Sequence, residues 1–164
     1  MSSTINILII EDDLAQADFM SSVLKKKSYR VKVINNGDVA LEYLLKDPPV
    51  DVVLIDYNLP GYNGIEIIKR VRQEGLRFGF IFITIDDTIN TAVKAMKAGA
   101  MDFIHKSADL KRELLPMVEK VNEQIQNYRQ KKQLEKKVYE SEHRYRTIFE
   151  HSGIALWEED ASAL

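Results

Sequence analysis

Five polar side chains close four short apolar runs. Glu11-Asp12 follows Ile7-Leu8-Ile9-Ile10, Asp56 follows Val52 to Ile55, Thr84 follows Phe80 to Ile83, and Lys106 follows Phe103-Ile104-His105. Acids gathered in one place repel one another strongly when dry. They are balanced best by a hard divalent cation with oxygen ligands, which points to Mg²⁺, or Mn²⁺ in its place. Beside such a cation one carboxylate can act as a nucleophile. A lysine adds a second positive charge and a threonine adds a hydroxyl donor. Those are the parts needed to accept a phosphoryl group, because charge spreads over its equatorial oxygens.

The elements that must bring these residues together are legible in the same stretch. Apolar runs at 5–10, 31–34, 50–55, 78–85 and 102–106 read as strands. Helical patterns fill the intervals: Asp13 caps one running through Leu24, and others cover 38–45, 65–73 and 88–98. Strands alternating with helices of this length imply a parallel sheet covered on both faces, a doubly wound α/β sandwich. In that architecture the site lies at the carboxyl ends of the strands. All of the polar residues named above fall there.

The runs Ile7-Leu8-Ile9-Ile10-Glu11-Asp12-Asp13, Asp56-Tyr57-Asn58-Leu59-Pro60-Gly61, Ile81-Phe82-Ile83-Thr84 and Asp102-Phe103-Ile104-His105-Lys106 resemble, in order, the receiver (CheY-like) domain of two-component response regulators. Singly, most of them are a turn, a strand end or a cap; the inference rests on their joint order. The resemblance implies a flavodoxin-like (βα)5 fold, a five-stranded parallel sheet of order 2-1-3-4-5 with an extended C-terminal helix. It implies that Asp56 takes a phosphoryl group from a phosphohistidine on a histidine kinase or a histidine phosphotransfer protein. Glu11, Asp12 and Asp56 would hold Mg²⁺, with Asn58 adding its backbone carbonyl. Lys106 would pair with the phosphoryl group or with Asp56, Thr84 would turn its hydroxyl onto the phosphoryl group, and Phe103 would swing inward behind it. The face made by the helix 88–98, the strand 102–106 and the next helix is the family's usual output surface and one route to a homodimer.

Two positions depart from the family pattern. Ser107 follows Lys106 where a proline on a cis peptide is usual, and Ile85 follows Thr84 where a small residue is usual. Ile85, Asp86 and Asn58 are therefore expected to modulate access to Asp56, with Ile85 slowing phosphotransfer or hydrolysis. A phosphorylation-independent receiver used only for docking or dimerisation is the alternative reading. A flavodoxin-like cofactor binder is disfavoured, because three acids stand where a phosphate cradle would be needed.

The chain has 164 residues, with AVILMFWYC at 45% and DEKR at 29%. Its 23 basic and 25 acidic residues leave a formal charge of −2, which argues against direct nucleic-acid binding. It has no cysteine, hence no disulfide, thiolate metal site or Cys nucleophile. No run is long enough for a membrane span or signal segment, so a cytoplasmic protein is expected. We expect a receiver domain over 1–122 and a helical or coiled-coil linker over 123–147. Val118, Val121, Ile125 and Tyr128 form one apolar seam of that helix, and Val138, Ser141, Tyr145 and Ile148 form another, out of register with the first. The segment from Glu140 to Asp160 resembles the opening of a PAS sensory domain, with Trp157 on its first strand. Residues 148–164 are read as a truncated PAS-like stub, which would leave the stretch from Ile154 to Leu164 disordered or packed on a neighbour, with further output domains beyond this chain.

Overall fold

A computed structural model describes residues 4–86 and 88–162, with side chains described as far as His151. The elements alternate without exception: β1 (Asn6–Ile10), α1 (Leu14–Lys25), β2 (Arg30–Ile34), α2 (Gly37–Leu45), β3 (Val52–Asp56), α3 (Gly64–Gln73), β4 (Gly79–Thr84), α4 (Ile89–Ala98), β5 (Asp102–His105) and α5 (Leu110–Ser162). The strands form one parallel sheet of order β2-β1-β3-β4-β5. This is the flavodoxin-like receiver fold expected from the sequence.

The central strands read as continuous apolar runs because both of their faces are covered. Leu8, Ile10, Val53, Ile55, Phe80 and Phe82 point into one layer, packed beneath α2, α3 and α4. Ile7, Ile9, Val52, Leu54, Ile81 and Ile83 point into the other, against α1 and the first half of α5. The helix starts are set locally. Asp13 accepts from the Gln16 N–H, as expected. Asn36 caps α2 by accepting from Asp38 and Val39. Asn63 and Glu66 form a reciprocal capping box at α3.

The chain divides into two compact units, Met1–Gln126 and Asn127–Leu164. In the first, Val118, Val121 and Ile125 are at most 2% exposed and belong to the core. That seam is spent on the sheet rather than on another helix, which explains why it is out of register with the seam that follows. Gln126 donates to Asp51, whose other oxygen accepts from the Asn6 N–H, so packing reaches past the expected boundary at 122. In the second unit the backbone is helical through Ser162. Trp157 therefore lies on a helix and not on the expected strand. A helix pairs its N–H and C=O groups within the segment itself and needs no neighbouring strand. The expected packing on a neighbour concerns the side chains of 154–162 and residues 163–164, which lie outside what the structure describes. Among the described residues no helix is long and apolar enough to cross a membrane.

Candidate functional site

Strand register assembles the site. Ile10 pairs with Ile55, Asp56 with Ile83, and Thr84 with His105, so the residues at or just after the strand ends share one edge. Glu11, Asp56 and Thr84 are buried there, at 1%, 7% and 3% exposure, while Asp12 is exposed. Glu11, Asp12 and Asp56 each offer a carboxylate oxygen within 4.8 Å of the others. Lys106 reaches into the same space with its side chain 9% exposed. Its ammonium lies 2.7 Å from Glu11 Oε2 and 3.2 Å from Asp56 Oδ2.

The remaining oxygens are held by backbone. Tyr57 N–H donates to Asp56 Oδ1 at 2.8 Å, and Asp13 N–H donates to Glu11 Oε1 at 3.1 Å. The Asp56 side chain is thereby oriented with Oδ2 toward the lysine. Burial pushes the carboxyl groups of Asp56 and Glu11 above the usual range, and the Lys106 ammonium pulls each back only in part. Three formal negative charges face one positive charge. A divalent, oxygen-seeking cation fits that imbalance and the donor set.

The loop behind Asp56 is built for close approach. Gly64 N–H donates to the Tyr57 carbonyl at 3.1 Å, closing residues 57–64 into a tight return. A Cβ on Gly64 would sit 2.3 Å from the Asp56 carbonyl oxygen and 3.2 Å from the Phe82 ring. No side chain fits there, so glycine lets α3 start directly beneath the site.

Thr84 closes β4 as expected, and its hydroxyl accepts from the Asp86 N–H at 3.0 Å. Asp86 is exposed and accepts from Thr91 and Thr88, which hold its carboxyl below the usual range. Ile85 is 65% exposed on the same loop, and Asn58 is exposed on the loop after β3. Phe103 stands 42% exposed on β5. It lines an apolar groove of about 440 Å³ with Ile89, Val93, Met96 and His105, so it occupies the outward side of the swing expected for it. The Lys106–Ser107 peptide is trans. Ser107 instead opens α5, its hydroxyl accepting from the Asp109 N–H.

Three features were not legible beforehand. Glu11 is the nearer partner of Lys106, Gly64 lies under Asp56, and His105 Nε2 meets the Ile85 carbonyl at 2.9 Å. Only the last had a signal, a polar ring directly after the apolar pair Phe103-Ile104.

Residues 7–119 match the family model of the response regulator receiver domain. The chain belongs to the response regulator receiver family. Among curated relatives, the transcriptional regulatory protein DltR of Streptococcus agalactiae is 36% identical over 100 residues, covering 61% of this chain and 44% of DltR. A cyclic di-GMP phosphodiesterase of Thermotoga maritima is 34% identical over 104 residues, covering 63% of this chain and 27% of that protein. This receiver chain thus spans less than half the length of these relatives. A CheY-like receiver domain structure from Methanospirillum hungatei superposes with a TM-score of 0.69 at 23% identity, covering 77% of this chain and 99% of that one, which shows the shared fold.

Proposed function

We propose that this receiver is a phosphoacceptor switch whose modified residue is Asp56. The observation that carries the reading is the buried Asp56 carboxylate, held by the Tyr57 N–H, with Lys106 at 3.2 Å and the Glu11 and Asp12 carboxylates beside it. Oδ2 of Asp56 attacks the phosphorus of a phosphohistidine on a histidine kinase or phosphotransfer protein. The P–N bond breaks, its electron pair returns to the imidazole, and an acyl phosphate forms on Asp56. Glu11, Asp12 and Asp56, with the Asn58 backbone carbonyl, would hold Mg²⁺, which when bound neutralises charge on the transferred group. Lys106 supplies the protein's own positive charge to the same oxygens. Thr84 exchanges its Asp86 N–H for the phosphoryl group, and Phe103 leaves the groove to fill the space behind it. This repacks the α4–β5–α5 face, a population shift biased by one new anion. Ile85, Asp86 and Asn58 set how readily donors and water reach Asp56. Catalysis is confined to the chain's own phosphotransfer and dephosphorylation.

The names of the relatives support an output carried elsewhere in the whole protein, and the likeness of the segment from Glu140 to Asp160 to a PAS opening supports a sensory module following the helix. Under this reading 1–122 is the switch, 123–147 the linker and 148–164 the PAS-like segment, in a protein acting in the cytoplasm. Two copies pair through the α4–β5–α5 face or through the C-terminal helix.

The test is incubation with Mg²⁺ and a small acyl-phosphate donor, read by intact mass. The wild type should gain one phosphoryl group and Asp56→Asn none. A folded, Mg²⁺-binding wild type that gains nothing from either the acyl phosphate or a phosphorylated phosphotransfer protein overturns the assignment.

A further inference from the structure

Of the two pairing surfaces, the helix names its own occupant. Past Gln126, Leu134, Val138, Ser141, Tyr145 and Ile148 recur at steps of 4, 3, 4 and 3. That heptad spacing keeps one stripe in line along supercoiled helices, with Val138 and Tyr145 at a and Leu134, Ser141 and Ile148 at d. The stripe faces water: Leu134 is 63% exposed, Val138 57%, Tyr145 71% and Ile148 60%. Every residue from Gln130 to His151 is exposed. Helices of this kind owe most of their stability to burying an apolar stripe, and along this one Leu134, Val138 and Tyr145 stand exposed.

The charges flanking the stripe decide what covers it. The g positions are Lys137 and Arg144, and the e positions are Glu135 and Glu142. In a parallel, in-register pair g meets e′ of the following heptad, so Lys137 meets the other copy's Glu142 on both sides of the seam. In an antiparallel pair g meets g′ and e meets e′, which sets basic against basic and acid against acid. Val138 at a with Leu134 at d favours two strands over three, and Lys131 at the preceding a position penalises shifted registers. The segment is complementary to itself in one orientation.

We infer that Leu134–Ile148 is the seam of a parallel, in-register, two-stranded coiled coil between two copies of this chain. The seam needs no phosphoryl group and no metal, so it stands or falls separately from the chemistry at Asp56.

The experiment is sedimentation equilibrium of the full, unphosphorylated chain over a wide concentration range. The weight-average mass should rise from the 18.9 kDa of one chain toward twice that value. Leu134→Glu with Val138→Glu should abolish the rise while the receiver's own unfolding transition is kept. Glu142→Lys turns both interhelical attractions into repulsions and should weaken association about fivefold, and adding Lys137→Glu should restore it. Orientation is read by Lys131→Cys, a unique thiol in a chain with no cysteine. It should oxidise to a disulfide-linked dimer, because 131 meets 131 only when the strands are parallel. A monomer throughout, a limiting mass of three chains, association that survives the double Glu variant or is strengthened by Glu142→Lys, or a dimer that does not cross-link through position 131 would each overturn the proposal.

Discussion

Lys106 holds two buried carboxylates with one ammonium, and its removal would leave like charges facing each other without water. Breaking a buried ion pair by deleting one partner is far more costly than never having had it. Lys106→Met should therefore lower stability by about 3 kcal/mol at neutral pH, measured by urea denaturation, and saturating Mg²⁺ should recover part of the loss. Asp56→Asn should act in the opposite sense. Burial raises the Asp56 carboxyl in the fold, so its folded form holds a proton more readily than its unfolded form. The stability this linkage contributes is present below the ordinary carboxylate range and is lost as pH rises through the raised folded value. Asn removes that loss. The variant should match wild type in acid and exceed it at neutral pH without metal. Adding Mg²⁺ should reverse the order, because the cation stabilises only the chain that keeps its ligands. An advantage for Asp56→Asn that is flat across pH would show that desolvation of the carboxylate is not its source.

At the scale of elements, the return from β3 into α3 concentrates the constraint. Gly64→Ala drives a Cβ into the Asp56 carbonyl and the Phe82 ring, neither of which can yield without moving the site. It should destabilise by about 1–3 kcal/mol and also lower the rate of phosphoryl adduct formation at Asp56. Asn63→Ala, which only opens the capping box, should cost about 1 kcal/mol and leave that rate near wild type. Denaturation and adduct kinetics on the two variants separate site geometry from helix stability. The strands and the Asp13 cap were legible in advance because they rest on local rules: apolar runs between turns, and an acid ahead of an apolar helix face. The Asn36 and Asn63 caps read only as turn residues. The Glu11–Lys106 contact and the space under Gly64 were not. They depend on how far side chains reach between elements distant in sequence, about which period and spacing are silent. Phe103 was legible as a position on a strand; its outward stance depends on the groove beside α4.

For the molecule as a whole, the long helix has two halves with different employment. The seam through Val118, Val121 and Ile125 looks from sequence like the start of a coiled coil, because a buried helix face and an interhelical seam share the same spacing. Burial tells them apart: Val118, Val121 and Ile125 are core, and the residues from Gln130 to His151 are exposed. A chain ending after Asn122 loses Ile125 and the Gln126–Asp51 bond, so it should be about 2 kcal/mol less stable than one ending after Gln130. Equal denaturation midpoints for the two would show that the contacts of Ile125 and Gln126 add nothing to the stability of the switch.

The strand order has a further consequence for growth. A parallel sheet that is not closed ends in two bare margins, here β2 and β5, and each is a template on which another molecule's strand could add without limit. β5 is only four residues long. β2 carries the exposed charges of Arg30 and Lys32, and Lys32 also lies over the Tyr43 ring, 5.0 Å from its centroid. An incoming copy of the same margin would have to stack lysine on lysine. Open-ended, fibre-like addition is discouraged at both rims.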